Sequence, residues 1–145
     1  MLKEDQVTEA VCIYLEERGF NCKWLRSTQK GDDIIALHGQ GRFELYIEAK
    51  GATSSQLNSK RYGKEFSTSQ VESHVKSAFY RVAKMLQEAD GVKLRQVAMA
   101  LPDNATYHQK VNNISQSLKR LEMSVFWIKQ NGEVWIDPDF ISCLV

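Results

Sequence analysis

Asp33, Glu48 and Lys50 are the residues whose types and spacing could do chemistry in this chain. They lie in GDDIIALHGQGRFELYIEAK, residues 31–50, which reads as two short strands around a tight turn, Gly39-Gln40-Gly41. The second strand alternates. Phe43, Leu45, Ile47 and Ala49 take one face, while Arg42, Glu44, Tyr46, Glu48 and Lys50 take the other. Residues two apart on a strand share a face, so Glu48 and Lys50 stand side by side. Asp33 directly precedes the apolar run Ile34-Ile35-Ala36-Leu37, and a short hairpin brings it next to Glu48; Asp32 stays open as the alternative. Two carboxylates and a lysine at strand ends make a hard-cation site with a charged partner for a water or a phosphate. Phosphodiester hydrolysis needs that chemistry. Oxygen ligands hold Mg²⁺ or Mn²⁺ without stripping all its water, and a lysine orients the attacking water or offsets transition-state charge.

Asp33 followed fifteen residues later by Glu48-Ala49-Lys50 resembles the motif of the PD-(D/E)xK nuclease superfamily, which includes restriction endonucleases and archaeal-type Holliday-junction resolvases. Asp32 stands where the motif's name has proline. The resemblance covers about residues 3–101 and implies an α/β fold: a restriction-endonuclease-like αβββαβ core with a mixed central sheet flanked by helices. It implies that Asp33, Glu48 and the Ala49 carbonyl hold Mg²⁺ or Mn²⁺ while Lys50 positions the attacking water. Glu9 on the first helix and Gln70 at the start of the central helix are the implied supporting catalytic residues. The implied activity is that of an endodeoxyribonuclease, with DNA expected ahead of RNA. A different class is the alternative: a catalytically silent module that keeps the fold and binds nucleic acid or a protein partner. Glu-x-Lys alone carries little information, and by itself it describes a solvated strand face; the weight rests on the strand context and the aspartate on the preceding strand.

The elements that must position these residues follow from periodicity. Lys3 to Arg18 reads as a helix with Val7, Val11, Tyr14, Leu15 and Arg18 on one face and Gly19 as its stop. Glu9 falls on the opposite, polar side. Phe20 to Arg26 reads as an edge strand. Residues 51–69 form a Ser- and Gly-rich stretch without periodicity, and loops of this length in a compact domain are often functional. Lys60, Arg61, Tyr62 and Lys64 are its candidate nucleic-acid contacts, the tyrosine being able to stack on a base. Ser69-x-x-Glu72 fits a capping box for the next helix, whose seam is Val71, Val75, Ala78, Val82, Met85 and Ala89, with Gly91 as its end. His74 on its flank is a general-base alternative, although a lone histidine there is more often structural. Leu94 to Leu101 reads as a strand covered on both faces. A helix from about Tyr107 to Glu122 follows, then a hairpin turning at Asn131-Gly132 with Trp127 and Trp135 as a packing pair. These last pieces make a C-terminal αββ extension, residues 102–145.

At 145 residues the chain is one domain able to bury a core without metals or disulfides. Hydrophobic content of 43% and charged content of 26% are ordinary for a globular protein. No apolar run reaches the roughly 20 residues of a membrane span, and MLKEDQ has no signal-peptide character, so a cytoplasmic location is expected. Cys12, Cys22 and Cys143 have no metal-ligand spacing and suit a reducing compartment. The net charge of +1 means that nucleic-acid binding would rely on local basic patches. The apolar tail FISCLV either packs on the core or forms part of a homodimer interface.

Overall fold

A computed structural model describes residues 1–27, 31–54, 58, 60, 62–88 and 94–142, with the side chains of residues 25–33 outside the description. The elements run α1 (Glu4–Glu16), β1 (Asn21–Ser27), β2 (Gly31–His38), β3 (Phe43–Ala49), α2 (Thr68–Gln87), β4 (Leu94–Pro102), α3 (Ala105–Asn112), α4 (Ser115–Arg120), β5 (Ser124–Ile128) and β6 (Val134–Ile136). All six strands form one sheet in sequence order, β1-β2-β3-β4-β5-β6. The first three are antiparallel, β3, β4 and β5 are mutually parallel, and β6 returns antiparallel to β5. Parallel neighbours need a crossover, and α2 supplies the first while α3 and α4 supply the second. The result is an α/β protein with a mixed sheet flanked by helices. The C-terminal strands extend this sheet rather than forming a separate unit.

Strand alternation divides the core into two layers. Ile34, Ala36, Phe43, Leu45, Ile47 and Ala49 join Val7, Val11 and Leu15 of α1 on one side. Tyr46, Val97, Met99, Leu101 and Val125 join Val71, Val75, Ala78 and Val82 of α2 on the other. β3 is buried along its whole length, as a strand covered on both faces should be. Ile141 of the tail packs into the α1 layer.

Three local expectations need correction. The capping box of α2 is Ser67 with Gln70, not Ser69 with Glu72. Phe66, just ahead of that cap, belongs to the same core layer as Val71, which seats the helix start two residues earlier. The single helix expected from Tyr107 to Glu122 is split into α3 and α4, because Asn112 and Asn113 are weak helix formers and Ile114 turns toward the α2 layer. On α1, Thr8 is buried, whereas Arg18 leaves the apolar face and lies 3.5 Å over the Tyr14 ring. Ala89 and Gly91, the expected end of α2, lie outside the described residues.

The C-terminal hairpin forms as its Asn-Gly turn predicts, with Trp127 opposite Trp135 and their ring centroids 6.1 Å apart. His108 stacks on Trp127 at 3.7 Å, and the Asp103 carboxylate accepts from Trp135 Nε1 at 2.7 Å while contacting His108 Nε2 at 2.6 Å. Both tryptophans are thus committed to packing against α3. No helix among the described residues is long and apolar enough to cross a membrane.

Candidate active site

The β2–β3 ladder pairs Asp33 with Glu48, and residues directly opposite on antiparallel strands share a face of the sheet. In the β1–β2 ladder Asp33 pairs with Leu25 and Asp32 with Arg26. The register therefore separates the two aspartates that sequence left open: Asp33 shares a row with Glu48, and Asp32 is one residue out of step. The side chains of both aspartates lie outside the described residues.

Glu48 and Lys50 follow from the alternation of β3 and take the α2 side of the sheet. Glu48 is only 2% exposed and Lys50 9% exposed. Their charged ends are 3.8 Å apart, and the Tyr46 hydroxyl donates to the other Glu48 oxygen at 3.3 Å. Arg81 of α2 in turn donates to that hydroxyl at 3.2 Å. Tyr46 and Arg81 thus tie the carboxylate to the helix above it. Strand alternation puts Tyr46 on the face of Glu48, and the packing of α2 on β3 brings Arg81 to it. Ala49 is fully buried against the α1 layer, and the Lys50 amide donates to the Ala100 carbonyl at 3.0 Å.

A second chain of hydrogen bonds runs beside Lys50. The Tyr107 hydroxyl donates to the Gly51 carbonyl at 2.7 Å and lies 3.2 Å from His74 Nδ1. A hydroxyl has one proton, so His74 Nδ1–H must be the donor in that contact and Nε2 keeps the lone pair. Burial first, and then the positive charge of Lys50, lower the His74 pKa to about 4. His74 is therefore a neutral base at physiological pH. Nothing in the sequence pointed to Tyr107 as its partner, because the two are 33 residues apart.

The two implied supporting residues are placed differently. Glu9 is exposed on α1, next to Gln130, Asn131 and Gly132 of the β5–β6 turn, and is not gathered with Glu48. The α1 residue nearest the loop after Lys50 is Glu4: a side chain on Gly51 would meet the Glu4 backbone nitrogen, and the Glu4 charge helps raise the Tyr107 pKa behind the larger effect of burial. The Gln70 side-chain oxygen accepts from the Ser67 amide at 2.9 Å and from its hydroxyl at 3.1 Å, which fixes that oxygen at the start of α2. Of the loop contacts, Lys60, Tyr62 and Lys64 are exposed, and Arg61 lies outside the described residues. The loop folds back on itself through a Thr53 hydroxyl bond to the Lys64 carbonyl at 2.7 Å and a Ser54–Tyr62 bridge. Lys3 Nζ sits 5.2 Å over the Tyr62 ring.

His74 makes stability depend on acidity. Its folded pKa of about 4 lies below the ordinary 6.5, so the folded state favours the neutral form. Stability is fully present above pH 6.5 and falls as pH drops toward 4. Because the ring is partly exposed, the loss is of order 2 kcal/mol once solvent screening is allowed for. His74→Asn keeps a donor for Tyr107 and removes the titration. Urea unfolding of both proteins across this pH range should show a flatter profile for the variant, and parallel profiles would contradict the assignment.

Among the described residues no three His, Cys, Asp or Glu side chains gather as a metal-holding group. No protein-family model matches this chain, and no curated protein matches it significantly.

Proposed function

We propose that this protein is a Mg²⁺- or Mn²⁺-dependent nuclease that hydrolyses DNA phosphodiester bonds, built on a restriction-endonuclease-like αβββαβ core. The observation that carries the reading is the pairing of Asp33 with Glu48 across the hairpin, with Lys50 beside Glu48 at the buried end of β3. The order α1-β1-β2-β3-α2-β4, with an antiparallel triplet followed by a parallel strand, supports the core assignment.

The donor chemistry fits a hard cation. Carboxylates of Asp33 and Glu48 and the Ala49 carbonyl offer oxygen ligands only, which suits Mg²⁺ and Mn²⁺. Such an ion, when bound, supplies Lewis acidity and a water made acidic enough to attack near neutral pH. The chain's own residues do the rest. Lys50 holds the attacking water and offsets charge growing on the phosphate, an effect that burial strengthens. Tyr46 and Arg81 keep the Glu48 carboxylate oriented. Lys60, Tyr62 and Lys64 lie exposed on the loop after Lys50 and would meet the nucleic-acid backbone, with Arg61 as the fourth contact. With a net charge of +1, affinity would come from this local patch and fall with added salt.

Calorimetric titration of Mn²⁺ into the wild type and Glu48→Ala tests the site without a guess about substrate. Binding by the wild type that is lost in the variant is expected. Equal binding by both would remove Glu48 as a ligand. Strong, salt-dependent DNA binding with no response to metal would favour the silent binding module.

A further inference from the structure

The left-handed turn at Gly19, with φ +88°, reverses the chain so that Cys12 of α1 comes beside Cys22 of β1. The Cys22 Sγ lies 4.0 Å from the Cys12 carbonyl oxygen, so the two cysteines are neighbours across the α1–β1 turn. Both side chains are half-buried at the margin of the α1 core layer, and β1 is the edge strand of the sheet. The pair is therefore adjacent yet within reach of a small reagent. Neither cysteine contributes to the Glu48 site, which is on the other side of the sheet, so the pair has a chemistry of its own.

We propose that Cys12 and Cys22 form a redox modification site that closes to an intramolecular disulfide on reaction with a small disulfide oxidant of the oxidised-glutathione class. Cys12 is the attacking sulfur. The neighbouring Cys22 side chain holds the Cys12 pKa down against burial and the nearby Glu16 charge, whereas Cys12, together with burial, pushes the Cys22 pKa up. The Cys12 thiolate attacks one sulfur of the oxidant, forms a mixed disulfide and releases one glutathione thiolate. Cys22 then passes its proton to that thiolate, attacks the Cys12 sulfur and expels the second glutathione. Two protein thiols are oxidised, one glutathione disulfide is reduced to two thiols, and no other reactant is needed. Closing the disulfide needs the two neighbouring side chains to rotate until their sulfurs reach the bond length of about 2 Å. The bond would tie α1 to β1, whose ladder partner β2 carries Asp33.

The test uses the full chain carrying Cys143→Ser, incubated with oxidised glutathione and measured by intact mass and thiol titration. The expected product is a monomer lighter by two hydrogens, with no titratable thiol and full reversal by dithiothreitol. The further variant Cys22→Ser should trap one glutathione on Cys12. Peptide mapping of the oxidised wild type, which needs no substitution, should find the Cys12 and Cys22 peptides joined. Thiols that stay titratable, a bridge to Cys143, or chains linked to one another would overturn the proposal.

Discussion

If the protein is the proposed nuclease, replacing Lys50 by methionine is expected to lower phosphodiester cleavage by about a hundredfold to a thousandfold or more, the usual cost of removing a group that stabilises transition-state charge. Methionine keeps most of the side-chain volume, which matters at a position that is 9% exposed. Glu48→Ala should be at least as damaging, because it removes both the implied ligand and the partner of Lys50 at 3.8 Å. Each single variant leaves a buried charge short of a partner, so some stability is lost with activity. The double variant Glu48→Gln with Lys50→Met removes both charges together and serves as the folding control. Duplex and branched DNA with Mg²⁺ or Mn²⁺ are the substrates to try first, with circular dichroism on every variant. Cleavage at the wild-type rate by either single variant would end the proposed mechanism.

Gly51→Ala should destabilise the fold by roughly 2–3 kcal/mol, the range for forcing an extra methyl into a filled space. A Cβ at Gly51 would lie 2.6 Å from the Glu4 nitrogen and 3.0 Å from the Lys3 carbonyl carbon. Both are backbone atoms at the start of α1, so no side chain can swing aside. The same junction holds a 2.7 Å bond from the Ala52 amide to the Leu2 carbonyl and the Tyr107 bond to the Gly51 carbonyl. Moving α1 away would strain both. For a domain of this size the loss corresponds to a fall in Tm of about 6–12 °C. Because Gly51 directly follows Lys50, the proposed nuclease activity should drop too, even at temperatures where the variant is folded. Differential scanning calorimetry reads the first effect, and an unchanged Tm would show that the close approach is relaxed in solution.

Much of the architecture was legible in the residue pattern. Period-two alternation from Phe43 to Ala49 assigned faces that the structure keeps, and apolar spacing on α2 marked the seam Val71, Val75, Ala78 and Val82. The Asn131-Gly132 pair marked the last hairpin, in which Gly132 alone takes the left-handed conformation, at φ +92°. Boundaries were less legible. Ser67 and Ser69 both suit a helix start, and local preference alone does not choose between them; the burial of Phe66 with the α2 layer does.

What the sequence determined by itself was the order and type of the elements from α1 to β4 and the side-by-side placement of Glu48 and Lys50, because both follow from contacts within a few residues along the chain. Tertiary structure decided the rest. The pairing of Asp33 rather than Asp32 with Glu48 depends on hairpin register, and a slip of one residue would exchange them. The relay from His74 through Tyr107 to Gly51 joins residues up to 56 apart, which no local pattern encodes. Glu9, implied as a supporting residue by the resemblance, faces the β5–β6 turn, since the rotation of α1 is set by burying Val7, Thr8, Val11 and Leu15. Core burial is the larger energy, so it fixes the helix face, and the polar residues go where that rotation leaves them.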